Sequence, residues 1–172
     1  LDFSDYVPIF EMKVPSYNPS AAIIFNIEKY IIIRGFEKTA EFERSLTKIH
    51  NINTGETDLV IPGYTALPDG LHPDREHLAV AFSDRLEIWN IHQRKLSGVI
   101  PQANELFYPA WNQTGSMLAG TLIDERIKVI DAETGSTKCI LGKIGDECSW
   151  LTFSPDDHYL ACFCPDDSVV KI

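Results

Sequence analysis

Phe107-Tyr-Pro-Ala-Trp-Asn-Gln-Thr-Gly-Ser-Met-Leu-Ala-Gly-Thr-Leu-Ile-Asp-Glu-Arg-Ile-Lys-Val-Ile-Asp131 is echoed by Ser149-Trp-Leu-Thr-Phe-Ser-Pro-Asp-Asp-His-Tyr-Leu-Ala-Cys-Phe-Cys-Pro-Asp-Asp-Ser-Val-Val-Lys-Ile172. Each stretch is an apolar run, a turn, a second apolar run, an acidic turn and a third run. Trp111 falls on Phe153, Leu118 on Leu160, Asp124 on Asp166 and Val129 on Ile172. Runs this short, rich in β-branched and aromatic residues and bounded by Gly, Pro, Asn and Asp, read as strands.

Weaker copies precede these two. In the first, Ala21 to Asn26 and Tyr30 to Phe36 read as strands, and Glu37 to Arg44 as an eight-residue excursion. Ser45 to Ile52 then alternates with period two, and Asn53-Thr-Gly-Glu56 turns into Asp58 to Ile61. In the second, Tyr64 opens the first strand, Pro68-Asp-Gly looks like its turn, and Leu71 to Glu76 extends that turn. Strands follow over His77–Ser83, Leu86–Ile91 and Lys95–Ile100. Upstream, Tyr6 to Val14 reads as an edge strand interrupted by Pro8, and Pro15 to Ser20 as a linker or turn.

The polar residue after each third strand is Asn51, Asn90 or Asp131, spaced by 39 and 41 residues. A four-stranded unit of this size exposes both faces when alone, and stacking several about an axis covers them. No segment carries a sustained helical stripe between caps. The expected fold is therefore all-β: a β-propeller segment of four-stranded antiparallel blades, the last incomplete. The divisions are 1–19 for the edge strand and linker, 20–62, 63–101 and 102–142 for three blades, and 143–172 for a partial one.

At these residues the chain resembles the WD-repeat β-propeller family. Phe153-Ser-Pro-Asp-Asp157 with Tyr159-Leu-Ala161 looks like that family's turn between first and second strands. Leu86-Glu-Ile-Trp-Asn90 looks like its signature end of the third strand, with Asn for Asp, and Asn51-Ile-Asn-Thr-Gly55 and Asp131-Ala-Glu-Thr-Gly135 like the turn after it. The family's Gly-His pair is missing from every copy. Its tryptophan stands only at Trp89, with His50 and Ile130 elsewhere, so its Trp/His/Asp/Ser-Thr network is incomplete here. The resemblance implies an intracellular, cytoplasmic or nuclear, non-catalytic scaffold for protein–protein interaction within a larger protein, with further blades from the same chain. The alternative is the propeller portion of a peptidase-type enzyme whose catalytic domain lies outside this chain.

Charge and chemistry restrict partners. With 15 Lys and Arg against 25 Asp and Glu, a net charge of −10 disfavours nucleic acid and anionic membrane and suits a protein partner with a basic segment. No apolar run approaches the roughly 20 residues of a membrane helix. The acidic turns between second and third strands (Asp84, Asp124, Glu125, Asp166, Asp167) read first as turn chemistry, Asp side chains bonding nearby backbone N–H groups. The rival reading joins them to the connections before each first strand (Asn104, Glu105, Asp146, Glu147) on one rim, where the resemblance implies partners dock. Glu37, Phe42 and Arg44, on a longer loop, either join that candidate surface or form a solvated hairpin tip with Phe42 folded back. Tyr64, Tyr108 and Trp150 occupy matching positions and form either an aromatic row at the channel or packing between blades. Cys139, Cys148, Cys162 and Cys164 read as small buried thiols of a reducing compartment. Cys162-Phe-Cys164 with His158 lacks the partners of a zinc set, so no metal or cofactor is expected. Neither a Gly-x-Ser-x-Gly elbow nor a histidine paired with a nucleophile is present, and Gly135 to Lys143 departs from the phosphate-loop spacing.

Overall fold

Inner strands with apolar residues at successive positions, as over 78–81, need cover on both faces, and the computed structural model shows what supplies it. It describes residues 17–25, 30–38, 43–100, 103, 106–142, 150–164 and 169–172. Among them every regular element is a strand. The first sheet is β1 (Tyr17–Phe25), β2 (Tyr30–Lys38), β3 (Glu43–Asn51) and β4 (Thr57–Ile61), paired in that order. The second holds β5 (His77–Ala81), β6 (Leu86–Asn90) and β7 (Lys95–Ile100). The third is β8 (Phe107–Trp111), β9 (Met117–Thr121), β10 (Ile127–Asp131) and β11 (Thr137–Leu141). The fourth is β12 (Trp150–Phe153), β13 (Leu160–Cys164) and β14 (Val169–Lys171).

All pairings are antiparallel, and equivalent residues recur in register: Trp111 faces Leu118 and Phe153 faces Leu160. The sheets lie face to face in chain order, each seam filled from both sides. Tyr30, Ile32, Ile49 and Ile61 of the first pack on Leu78 and Val80 of the second. Ala79, Leu86 and Ile100 pack on Trp111, Leu118 and Ile130 of the third. Ala119, Ile127 and Val129 pack on Leu151, Phe153, Cys162 and Cys164 of the fourth. This is the expected all-β segment of stacked blades.

Two expectations for the first blade are corrected. The stretch Pro15 to Ser20 is not a linker throughout, since β1 begins at Tyr17 and pairs Tyr17 with Glu37. Pro19 is tolerated because β1 is an edge strand with a bulge between Pro19 and Ala21. Half of the eight-residue Glu37–Arg44 excursion is ladder: β2 runs to Lys38, β3 starts at Glu43, and Glu37 stands opposite Arg44, an opposite-charge cross-strand pair, while 39–42 lie outside the described residues.

The second blade, expected with four strands, has three and an irregular innermost segment. Tyr64 and Leu71 make single bridges to Ala81 and Leu78. Between them a turn closes with Gly70 N–H on the Ala66 carbonyl (2.5 Å), and Pro68 has no N–H for a ladder. The turn equivalent to Asn112–Gly115 and Ser154–Asp157 is His72-Pro-Asp-Arg75, not Pro68-Asp-Gly. Arg75, Gly115 and Asp157 share the left-handed position at φ 59°, 71° and 60°, and each N–H returns to the carbonyl three residues back. The displaced residues reach the next blade: Asp69 carbonyl accepts Trp111 N–H at 2.9 Å.

The expectation of four buried free thiols holds only in part. Cys164 is free and buried, Cys139 is free but exposed, and Cys162 is disulfide-bonded.

Candidate functional site

Antiparallel hairpins put the turns between second and third strands, and the connections entering each first strand, at the same end of every sheet. At that end the end of β2, the start of β3, the β5–β6 turn and the segments entering the second and third blades enclose a cavity of about 420 Å³. Its walls include Phe36, Tyr64, Phe82, Phe107 and Tyr108, five aromatic rings from three consecutive blades, with Arg44 on the first-blade side. Volume and apolar lining fall within the range of ligand-sized clefts.

Tyr64 and Tyr108 meet edge to face, centroids 4.9 Å apart. Behind Tyr64 lies the Arg34 guanidinium, 4.7 Å from the ring centroid. Arg34 Nη1 donates to the Tyr64 hydroxyl and to the Thr65 carbonyl (3.4 Å), and Nε donates to Ser20 Oγ (3.1 Å). Burial pushes the Tyr64 hydroxyl pKa well above its ordinary 10, the charge of Arg34 only partly opposing it, so Tyr64 stays a neutral phenol. Within the same blade Arg85 stacks over Phe82 at 4.3 Å. Both rings are thus braced by a cation outside the cavity.

Tyr108 is held at φ 52°, beside a register shift in β8. A bulky residue in the left-handed region is strained by about 1–3 kcal/mol and persists where its surroundings over-determine it. Here the Tyr64 ring packs edge to face against it. Strain of this kind concentrates at functional surfaces.

The residues expected at the rim are distributed as follows. Arg44 lines the cavity, and its Nε and Nη2 donate to Glu37 Oε2 at 2.9 and 2.6 Å. Asp124 and Glu125 lie on the β9–β10 turn at the same end, outside the cavity wall, where Arg126 Nε donates to Asp124 at 2.7 Å. Asp84 likewise receives Arg85 at 2.9 Å. Glu37, Asp84 and Asp124 therefore each carry an arginine from their own hairpin, which reduces the negative field this end projects. Phe42, Asn104, Glu105, Asp146, Glu147, Asp166 and Asp167 lie outside the described residues.

Of the aromatic row, Tyr64 and Tyr108 come together, whereas Trp150 packs beside Phe163 at 5.9 Å and is 44% exposed. Phe36, Phe82 and Phe107 were not expected here. The available signal was their position: Phe36 lies near the end of one second strand and Phe82 just beyond another, at the rim. Trp89 is half-buried, its indole N–H donating to Glu87 Oε2 at 2.8 Å.

Elsewhere, His72 and His77 both approach Asp74 through Nδ1, at 3.0 and 2.8 Å. Burial raises the Asp74 pKa, but the Glu76 N–H, the His77 ring, the charge of His72 and the His77 N–H together hold it down to about 2. Among the described residues no group of three or more His, Cys, Asp or Glu is arranged to hold a metal ion, and no helix is long and apolar enough to cross a membrane. Comparison with protein-family models gives no match, and comparison with curated proteins gives none either.

Proposed function

We propose that this chain is a non-catalytic propeller-type scaffold that docks a segment of a protein partner in the aromatic cavity at its rim. The observation that carries the reading is the convergence of Phe36, Tyr64, Phe82, Phe107 and Tyr108 from three blades around one open cavity. Five large rings left lining solvent-accessible space are an unused binding surface, since aromatic residues dominate interface energetics when covered. The strained Tyr108 and the cations braced behind Tyr64 and Phe82 support a preorganised site. The resemblance of Leu86 to Asn90 and of Phe153 to Ala161 to WD-repeat sequences supports the scaffold role. It also implies an intracellular setting, to which the cysteines lend no support because Cys162 is disulfide-bonded.

Affinity capture with the immobilised chain tests the reading when wild type is compared with a Phe82→Ala, Tyr108→Ala double variant. Partners held at the cavity should be lost from the variant while its circular dichroism keeps the all-β signature. Identical recovered proteins from both forms would remove the cavity from the interface.

A further inference from the structure

We infer that the occupant of the rim cavity is a peptide segment of a partner that sets an aromatic or large aliphatic side chain beside a carboxylate, and not a cationic side chain. This deepens the docking reading and rests on it. The chain's net charge of −10 points to a basic partner, but the one guanidinium near the cavity that has no carboxylate partner among the described residues, Arg34, sets the local preference the other way. No acidic residue lines it. Three guanidinium groups stand at or behind its walls: Arg44 in the lining, Arg34 on Tyr64 and Arg85 on Phe82.

A cationic side chain would be held by ring faces and a nearby carboxylate. Here Tyr64 and Phe82 already turn a face to a guanidinium; Arg85 is itself paired with Asp84 and Glu87, so the like charge that a second cation would meet is that of Arg34.

Arg34 makes the stronger case. It is only 6% exposed, and its hydrogen bonds go to Ser20 Oγ, the Tyr64 hydroxyl and the Thr65 carbonyl, all neutral. Among the described residues no carboxylate pairs with it. A buried charge without a counter-ion is costly, and an anion brought close to it gains more than the same anion in water. Arg44 meets the carboxylate at the cavity mouth, where its side chain is 51% exposed and its Glu37 partner 25%. A ligand carboxylate can join that half-exposed pair from the solvent side. The Ser45 and Ser83 hydroxyls of the lining add donors. The remaining volume, walled by Phe36, Phe107 and Tyr108, accepts a flat or branched apolar side chain by edge and face contacts.

The test uses three capped peptides, acetyl-Gly-Asp-Phe-Gly-amide, acetyl-Gly-Lys-Phe-Gly-amide and acetyl-Gly-Asp-Ala-Gly-amide, titrated into the isotope-labelled chain. The Gly63 and Ser83 amides are followed by NMR. The Asp-Phe peptide should shift both saturably and bind about tenfold more tightly than either of the others, the scale of one charge-assisted contact or one buried ring. Arg44→Gln should erase the preference for Asp over Lys while leaving the melting temperature unchanged. Equal or tighter binding of the Lys-Phe peptide overturns the inference and leaves the cavity a docking site for a cation. Absence of any saturable shift with the Asp-Phe peptide at millimolar concentration also overturns it. The docking reading is judged separately, by capture with the Phe82→Ala, Tyr108→Ala variant.

Discussion

His50 stands where the resemblance expects a tryptophan, and it is fully buried. Its Nδ1 meets Thr57 Oγ1 at 2.9 Å, while Nε2 is buried with no hydrogen-bond partner. Burial, then the charge of Lys48, lower its pKa from the ordinary 6.5, and Asp58 only partly offsets them. The folded state therefore takes up a proton at this site less readily than the unfolded chain. Stability is full above pH 6.5 and falls as the unfolded chain gains that proton on acidification. Melting temperature should drop between pH 7 and pH 5, and His50→Phe should flatten that slope. An unchanged slope would place the titration elsewhere. Asp74 acts further down: its carboxyl, held at about 2 against an ordinary 3.8, contributes stability that is lost as pH falls through that lower range. The tryptophans differ in a way their residue type conceals. Trp111 is 8% exposed, with its indole N–H on the Gly70 carbonyl at 3.1 Å and the His72 ring at 4.5 Å. Trp111→Ala should cost about 3–5 kcal/mol in urea unfolding. The half-buried Trp89 should lose less on the same change, and the reverse order would show that the second–third seam does not depend on Trp111.

At the level of hairpins, the turn after each third strand is built by one polar side chain. Asn51 Oδ1 accepts Asn53 N–H (2.9 Å), Asn90 Oδ1 accepts Gln93 N–H (2.7 Å) and Asp131 Oδ1 accepts Thr134 N–H (2.9 Å). Four residues after each cap the chain turns left-handed, at Gly55 (φ 71°), Arg94 (φ 55°) and Gly135 (φ 71°). Gly55 has open space where a Cβ would stand, so Gly55→Ala isolates the backbone term. It should destabilise by about 1 kcal/mol or somewhat more. Arg94→Gly should relieve the same strain but lose the ion pair to Asp58 at 2.7 Å, leaving a smaller net change. Equal losses from both changes would show that this conformation is not the cause. These caps are why the blade rhythm was readable: Asn51, Asn90 and Asp131 are local chemistry at fixed spacing. The same logic was available for His72-Pro-Asp-Arg75 against Ser154-Pro-Asp-Asp157, yet Pro68-Asp-Gly, an equally good turn signal, stood first and displaced it. Only tertiary packing separates the two, because the Asp69 carbonyl is occupied by Trp111 N–H of the next blade. The rim cavity was legible in part, through the spacing of Tyr64 and Tyr108. Phe36 and Phe82 were not, since a strand-end phenylalanine reads the same whether it faces a seam or solvent.

Across the whole chain, each sheet touches its sequence neighbours through a separate apolar seam, and the three seams share no residue. Architectures built this way have stabilities close to a sum of unit and nearest-neighbour terms, so damage at one seam propagates weakly to the far end. Ile61, fully buried in the first seam, offers a clean probe. Ile61→Ala should remove about 2–5 kcal/mol from that seam. In native-state hydrogen exchange the amides of β2, β3, β5 and β6 should then lose protection. Those of β12 and β13, two seams away, should exchange at nearly the wild-type rate. If instead every sheet loses protection to the same extent, the four sheets unfold as one cooperative body, and the stacked-blade description fails as an account of stability even though it describes the geometry.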